Sequence, residues 1–220
     1  MIMKGDNFSV IPLFSKPLFT STCEPSREIK ARLKIYIDKS DWHINKNNTP
    51  VTTQRTKNLN ILNENDLLPL KLSIIEKFNY FKNEILQYKG NDFELTTSWI
   101  TATHRYNYSN YHNHSNTMYT GVLYFDQQPN QGGISFMDFT PRHYEINVEE
   151  NNIYNSKEWI VEPAPWQIMF FPSSVYHRIM ENMCPVSRYS LAFCFHPVGD
   201  IGSGDSHIKF KKVGDDYGIS

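Results

Sequence analysis

Residues 166–195 read WQIMFFPSSVYHRIMENMCPVSRYSLAFCF, and this stretch sets the fold class. The apolar run Ile168–Phe171 has the length of a buried strand, and Pro172-Ser173-Ser174 supplies a tight turn. A second strand follows near Val175–Met180 with His177 close to its start, and Arg188–Phe195 (RYSLAFCF) is a third. In that last strand, alternation puts Arg188, Ser190 and Ala192 on one face and Tyr189, Leu191 and Phe193 on the other. Working backwards, short runs of β-branched and aromatic residues between Gly, Pro, Asn and Asp predict strands near Thr96–Ala102, Tyr119–Phe125, Gly133–Phe139 and Glu158–Glu162. Asp126–Gly133 (DQQPNQGG) reads as a hairpin loop and Glu162–Pro165 (EPAP) as a hard turn. Seven strands in about a hundred residues imply a mainly β domain with flanking helices, a sandwich or jelly roll.

The N-terminal part is different. Phe8–Phe19 (FSVIPLFSKPLF), with two prolines, suits an extended edge segment. Residues 27–38 could form a short helix, and residues 40–65, polar and Asn-rich, read as a long surface connection. A helix is predicted from Asp66 to Tyr88, because Leu67, Leu70, Ile74, Phe78, Phe81 and Ile85 recur at three- and four-residue steps. Asp66 suits its N-cap, Pro69 its first turn and Gly90 its C′ position. The tail 207–220 is expected to dock by its first half and fray at its end. The expected division is a supporting N-terminal region 1–92 within the same domain, a core 93–206 and the tail.

Composition narrows the function. The 220 residues carry 22 Lys+Arg against 23 Asp+Glu, a net charge of −1. That argues against the broad cationic footprint of a nucleic-acid or anionic-membrane binder. Aromatics at 14 % exclude a disordered chain. Three cysteines, Cys23, Cys184 and Cys194, without C-x-x-C spacing, are expected to be unpaired thiols of a reducing compartment. The opening MIMKGDNFSV lacks the apolar core of a signal peptide, and no stretch reaches transmembrane length. The expectation is a cytoplasmic protein.

The eight histidines point toward chemistry. In Tyr111-His112-Asn113-His114 the two imidazoles are two residues apart, so in an extended segment both face one centre, a spacing that suits iron, zinc or copper. His177 alone would read as a satisfied core histidine. Arg188 lies on the small-residue face of its strand, where a buried guanidinium requires an anionic partner. Its planar fork fits a carboxylate in two-point contact, and Ser190 adds a hydroxyl. His104, Arg105 and Tyr106 lie just upstream of the pair, within possible reach of a substrate. Phe136, Trp166, Phe170 and Phe171 are candidate pocket walls, each also ordinary core material. His43, His143, His196 and His207 have no spacing argument and are assigned structural roles. Gly202–Ser206 (GSGDS) reads as a plain turn.

The order H-x-H, a distal His, then R-x-S eleven residues on is similar to that of the 2-oxoglutarate- and Fe(II)-dependent oxygenases. The segments SWITATHRYNYSNYHNHSNTMYTGVLYFDQQ, GGISF, IMFFPSSVYHRI and RYSLAFCFHPVGDIGSGDS resemble the 2OG-Fe(II) oxygenases of tailed phages and marine bacteria, and IPLFSKPLF resembles their opening segment. The resemblance covers Trp99 to Ser206 well and the N-terminal part loosely. It implies a double-stranded β-helix, the cupin-like jelly roll of that superfamily, with iron at its open end. His112 would be the first ligand and His177 the distal one. Arg188 and Ser190 would grip the far carboxylate of 2-oxoglutarate, with a phenol from Tyr119 or Tyr124.

The superfamily's usual pattern is H-x-Asp/Glu…H, and this chain has His114 at the carboxylate position. Either His114 is itself a ligand, the preferred set being His112, His114 and His177, or Asp138 of GGISFMD supplies a carboxylate from another strand end. The implied activity is an Fe(II)- and 2-oxoglutarate-dependent hydroxylation that uses O₂ and releases succinate and CO₂, with ascorbate as an accessory reductant. The substrate would be a small molecule or a peptide side chain, with neither a strong nucleic-acid footprint nor a membrane. Two alternatives are a three-histidine cupin-type dioxygenase without 2-oxoglutarate, against which Arg188-x-Ser190 speaks, and a non-catalytic jelly-roll module.

Overall fold

The computed structural model describes residues 3–5, 8–44, 52–88, 90–141 and 144–210. In chain order the strands are β1 (Met3–Gly5), β2 (Phe8–Val10), β3 (Phe19–Thr22), β4 (Trp42–Ile44), β5 (Gln54–Thr56), β6 (Asp92–Thr103), β7 (Tyr119–Tyr124), β8 (Ile134–Met137), β9 (Glu158–Val161), β10 (Gln167–Pro172), β11 (Tyr176–Ile179), β12 (Arg188–Ile201) and β13 (Ile208–Phe210). Helix α1 (Arg27–Lys39) precedes β4, and α2 (Leu68–Tyr80) precedes β6. The major sheet runs β3-β10-β7-β12-β6-β5-β4, with β13 added to β12, and the minor sheet runs β11-β8-β9. Every pairing between these strands is antiparallel.

All seven strands expected beyond Phe93 are present. The chain alternates between the sheets: β7 in the major sheet leads to β8 in the minor one, β9 returns to β10, and β10 crosses to β11. Asp126–Gly133 is therefore a crossover between sheets rather than a hairpin loop. The turn 162–165 and the Pro-Ser-Ser turn are crossovers as well. This winding is the double-stranded β-helix.

Side-chain parity divides the major sheet. Tyr119 and Leu123 of β7, Ile168 and Phe170 of β10, and Leu191, Phe193 and Phe195 of β12 face the helices and form the larger core with Leu70, Ile74, Phe78 and Phe81. Phe78 stacks on Phe195 at 3.8 Å between ring centroids. Val122, Tyr124, Met169 and Phe171 face the minor sheet and pack on Ile134 and Phe136. Gly121 lies opposite Phe193 in the β7–β12 register. A β-carbon there would come within 2.0 Å of the Phe193 ring. Gly121→Ala is expected to destabilise the fold by about 1–3 kcal/mol through overpacking. Thermal unfolding measures the loss, and Phe193→Leu should restore part of it in the double variant.

The N-terminal region contributes more structure than its polarity suggests. Residues 40–65 hold β4, β5 and two short 3₁₀ turns, with Ile61 and Leu62 buried, so they are not simply a surface connection; residues 45–51 lie outside the described ones. The sheet edge lies just beyond the Pro-rich opening: Phe19–Thr22 forms β3 against β10 and shares only Phe19 with the expected segment Phe8–Phe19, whose residues Phe8–Val10 pair with β1 instead. In α1, Ser26 Oγ accepts from the Ile29 N–H at 3.3 Å, an N-cap. The α2 region begins differently from the expectation: Leu67 holds the N-cap position without a side-chain bond, and Asp66 instead accepts from the Tyr36 hydroxyl at 2.8 Å. Pro69 does fall in the first turn. Helix α2 gives way to a π turn at Phe81–Ile85, whose wider winding carries Ile85 off the apolar face and leaves it exposed. Gln87, the residue directly after the Leu86 cap, is left-handed and holds the C′ position; Gly90, also left-handed, follows three residues later. Cys23, Cys184 and Cys194 are free. The tail's first half docks as β13, and its end lies outside the described residues. No helix among the described residues is long and apolar enough to cross a membrane.

Candidate active site

The open end of the β-helix brings the three singled-out histidines together. His112 and His177 face each other in an antiparallel bridge, each N–H donating to the other's carbonyl at 2.9 Å. The His114 N–H is held by the Ser173 carbonyl at 3.0 Å. One ring nitrogen from each of His112, His114 and His177 lies within 4.8 Å of the other two. His112 Nδ1 contacts the Asn110 carbonyl at 2.9 Å and His177 Nδ1 the Val175 carbonyl at 3.0 Å. A carbonyl only accepts, so both Nδ1 atoms carry the proton and both Nε2 lone pairs are free for a cation.

Electrostatics favour the same state. Burial, reinforced by the neighbouring His112 imidazole, pushes His114 down to about 4 and His177 down to about 3. Both rings are neutral near pH 7, the form that ligates a metal. Phe171 packs on the His177 ring at 4.8 Å, Phe136 at 6.3 Å, and Trp99 lies 5.9 Å from His114. Of the proposed walls, Phe136 and Phe171 touch the His177 ring from the minor-sheet core without lining the cavity, and Phe170 and Trp166 belong to the helix-side core.

The segments carrying His112 and His177 share a further anchor. The hydroxyls of Tyr111 and Ser135 donate to Glu158 Oε1 at 2.7 and 2.5 Å, and Arg178 approaches the same oxygen at 3.5 Å. Hydrogen bonds from Ser135 and Tyr111 hold the Glu158 carboxyl below its usual range. Sequence reading did not find Glu158: its partners lie twenty or more residues away.

Asp138 is occupied elsewhere. Its Oδ1 accepts from the Thr140 N–H at 3.1 Å and hydroxyl at 2.7 Å, and it is not part of the histidine group. Its strand end does reach this region, but the carboxylate closes its own turn.

Arg188 is 2 % exposed. Its Nη1 donates to the carbonyls of Gln131, Gly132 and Gly133, in a crossover where Gly132 has φ +70° and a β-carbon would strike the Glu181 carbonyl. Nε and Nη2 are both buried and have no hydrogen-bond partner. These two nitrogens form one edge of the guanidinium, the edge that grips a carboxylate side-on. Two orphaned donors on a buried cation mark a place for an anion.

Ser190 lies on the same face, paired in register with Tyr124, and the Arg188 guanidinium is 5.6 Å from the Tyr124 ring. Burial pushes the Tyr124 phenol up to about 12, so it keeps its proton. Tyr119 has the opposite parity. Its hydroxyl contacts Tyr88 at 2.8 Å within the helix-side core, which removes it from the expected cosubstrate contacts.

A cavity of about 550 Å³ opens beside the histidines. Its walls include Trp99, Thr101 and Asn110, together with His43 and Arg55 from β4 and β5. His43, expected to be structural, thus belongs to the site's rim, and Arg55 was missed altogether. His104 contacts Ser187 at 2.8 Å and Arg105 stacks on Tyr106, so this trio is turned to local contacts rather than the cavity. His196 and His207 make local contacts, and His143 lies outside the described residues.

Comparison with known proteins shows what this region is similar to. Residues 97–194 match the family model described as "Putative 2OG-Fe(II) oxygenase". No curated protein sequence matches the chain. Among solved structures, a Pseudomonas putida prolyl-4-hydroxylase is 16 % identical with a TM-score of 0.56, covering 84 % of this chain and 95 % of that one. HygX from Streptomyces hygroscopicus, solved with nickel and 2-oxoglutarate bound, is 10 % identical with a TM-score of 0.56, covering 83 % of each chain. A Trichoplax adhaerens prolyl hydroxylase, solved in complex with a hypoxia-inducible-factor peptide fragment, is 11 % identical with a TM-score of 0.56, covering 81 % of this chain and 83 % of that one. At these identities the structures establish the shared fold. The matched segment 97–194 spans the three histidines, Arg188 and Ser190, so the part of the chain that carries the candidate site is the part similar to the 2OG-Fe(II) oxygenases.

Proposed function

We propose that this oxygenase binds Fe(II) through His112, His114 and His177, holds 2-oxoglutarate with Arg188, Ser190 and Tyr124, and hydroxylates a small-molecule or peptide-side-chain substrate. The observation that carries this reading is the Arg188 edge. A buried cation with two orphaned donors, on the sheet face that also carries the histidine cavity, is understandable only with a carboxylate present.

The residues fit the metal and cosubstrate. The Nδ1 protons of His112 and His177 are tied to backbone carbonyls, so each ring presents Nε2 and resists rotation. His112, His114 and His177 would hold the metal as three neutral donors, leaving its positive charge uncompensated by the protein. When bound, iron and 2-oxoglutarate supply the oxidising chemistry, with succinate and CO₂ as co-products. The protein's own contribution is placement. Arg188 and Ser190 anchor the far carboxylate and thereby aim the other end toward the histidines. Phe136 and Phe171 keep water from the inner wall of His177, and Trp99 borders the substrate side.

The test is anaerobic addition of Fe(II) and 2-oxoglutarate to the purified protein. The expected result is a weak visible charge-transfer band that requires both. Its absence at saturation removes the reading and favours a cosubstrate-free or non-catalytic module.

A further inference from the structure

Cross-strand register places one row of side chains across the cavity face. His43 pairs with Arg55, Arg55 with Thr101, Thr101 with Ser190 and Ser190 with Tyr124. Thr101, Arg55 and His43 all line the cavity beside His112 and His114. At the usual strand spacing, the Arg55 backbone lies roughly 10 Å along the sheet from that of Ser190, two strands away. Arg55 lines the cavity whereas Arg188 and Ser190 do not, so it constitutes a second cationic position, apart from the buried Arg188 edge.

The surroundings of Arg55 leave its charge available. Among the described residues it makes no ion pair. Its one hydrogen bond given by the structure runs from Nη1 to the adjacent Thr56 carbonyl at 3.2 Å. No aspartate or glutamate lines the cavity. Thr97, Thr101, Ser109 and Asn110 of the wall carry no charge. A half-buried guanidinium in a concave site without a carboxylate concentrates anions, and the indole of Trp99 offers an apolar wall between that charge and the histidines.

We propose that the primary substrate is a small molecule bearing its own anionic group, a carboxylate or a phosphate, and that Arg55 binds that group and determines specificity. The inference rests on the oxygenase function proposed above. His43, opposite Arg55 in register, is the neighbouring rim donor. The cavity's size suits a metabolite-sized ligand.

The test uses the protein loaded with Fe(II) and 2-oxoglutarate in air, with succinate release as the readout. The probes are matched pairs: N-acetyl amino acids against their neutral amides, and nucleoside and sugar monophosphates against their dephosphorylated partners. The expected result is stimulation by anionic members of one pair set and not by their neutral partners, which also tells carboxylate from phosphate. Arg55→Gln should then raise the KM of the stimulating anion about 10- to 100-fold, the weight of a charged hydrogen bond. Its effect on the KM for 2-oxoglutarate should be far smaller. Arg105→Gln, on the surface outside the cavity, controls for net charge.

Equal stimulation by neutral partners, including amides that mimic a peptide, overturns the proposal. So does an anion response indifferent to Arg55→Gln, a failure of every anion to stimulate, or an effect confined to 2-oxoglutarate, which would assign Arg55 to the cosubstrate. If the wild type forms no charge-transfer band, the oxygenase function itself fails. If the band forms and the charge dependence does not, only this inference does.

Discussion

Replacing Arg188 with methionine is expected to raise the dissociation constant for 2-oxoglutarate roughly 10²- to 10³-fold, the equivalent of about 3–4 kcal/mol. The size follows from burial. The orphaned Nε and Nη2 are inaccessible, so without the cation a bound carboxylate would lie in a low-dielectric wall with neither charge partner nor water. The same burial makes the substitution mild for the unliganded fold. Desolvation already lowers the Arg188 pKa, and replacing an unpaired buried cation by an apolar side chain of similar length is often neutral or stabilising. The variant should therefore melt no lower than wild type without ligand. Wild type gains about 2.7 kcal/mol from cosubstrate at a hundred times its dissociation constant; the variant should gain almost none. Thermal melts with Mn(II), with and without 2-oxoglutarate, read both quantities. A variant that melts far lower and binds normally would make Arg188 a structural residue.

His114→Ala is expected to lower Fe(II) affinity by more than the about 10–100-fold typical of losing an outer-shell partner, whereas Asp138→Asn should leave it unchanged. The contrast comes from position. His114 brings a ring nitrogen within 4.8 Å of those of both other histidines, while Asp138 closes a turn with Thr140. Iron retention after gel filtration, measured by a chromogenic chelator, distinguishes the two. Normal retention in His114→Ala with loss in Asp138→Asn would return the site to two histidines and a carboxylate.

Much of this arrangement could be read from residues 93–206, because there the period-two alternation is strong and the chemistry-bearing residues lie close in sequence. His112 and His114 are two apart on an extended segment, and Arg188 and Ser190 share a strand face; short-range geometry is enough for both. The failures have physical causes too. Tyr119 and Tyr124 are five apart on one strand, hence on opposite faces, and nothing local tells which face meets the helices. Phe170 and Phe171 pose the same problem. β5 is three residues long, Gln-Arg-Thr, and one of its faces lines a polar cavity, so it carries no apolar alternation to detect. Arg55 and His43 were invisible for that reason. The π turn at Phe81–Ile85 broke the helical phase that had placed Ile85 inside.

The Glu158 carboxylate joins the residue before His112, Tyr111, to the residue after His177, Arg178, although 65 positions separate the two histidines in sequence. With the reciprocal backbone bridge between His112 and His177, this makes the two histidine-bearing segments one cooperative unit. Their amide protons should exchange with solvent together, in a single opening event. If the two imidazoles hold the metal as proposed, release through that opening would lose both at once, which would tie the ion's lifetime to the integrity of the Glu158 carboxylate.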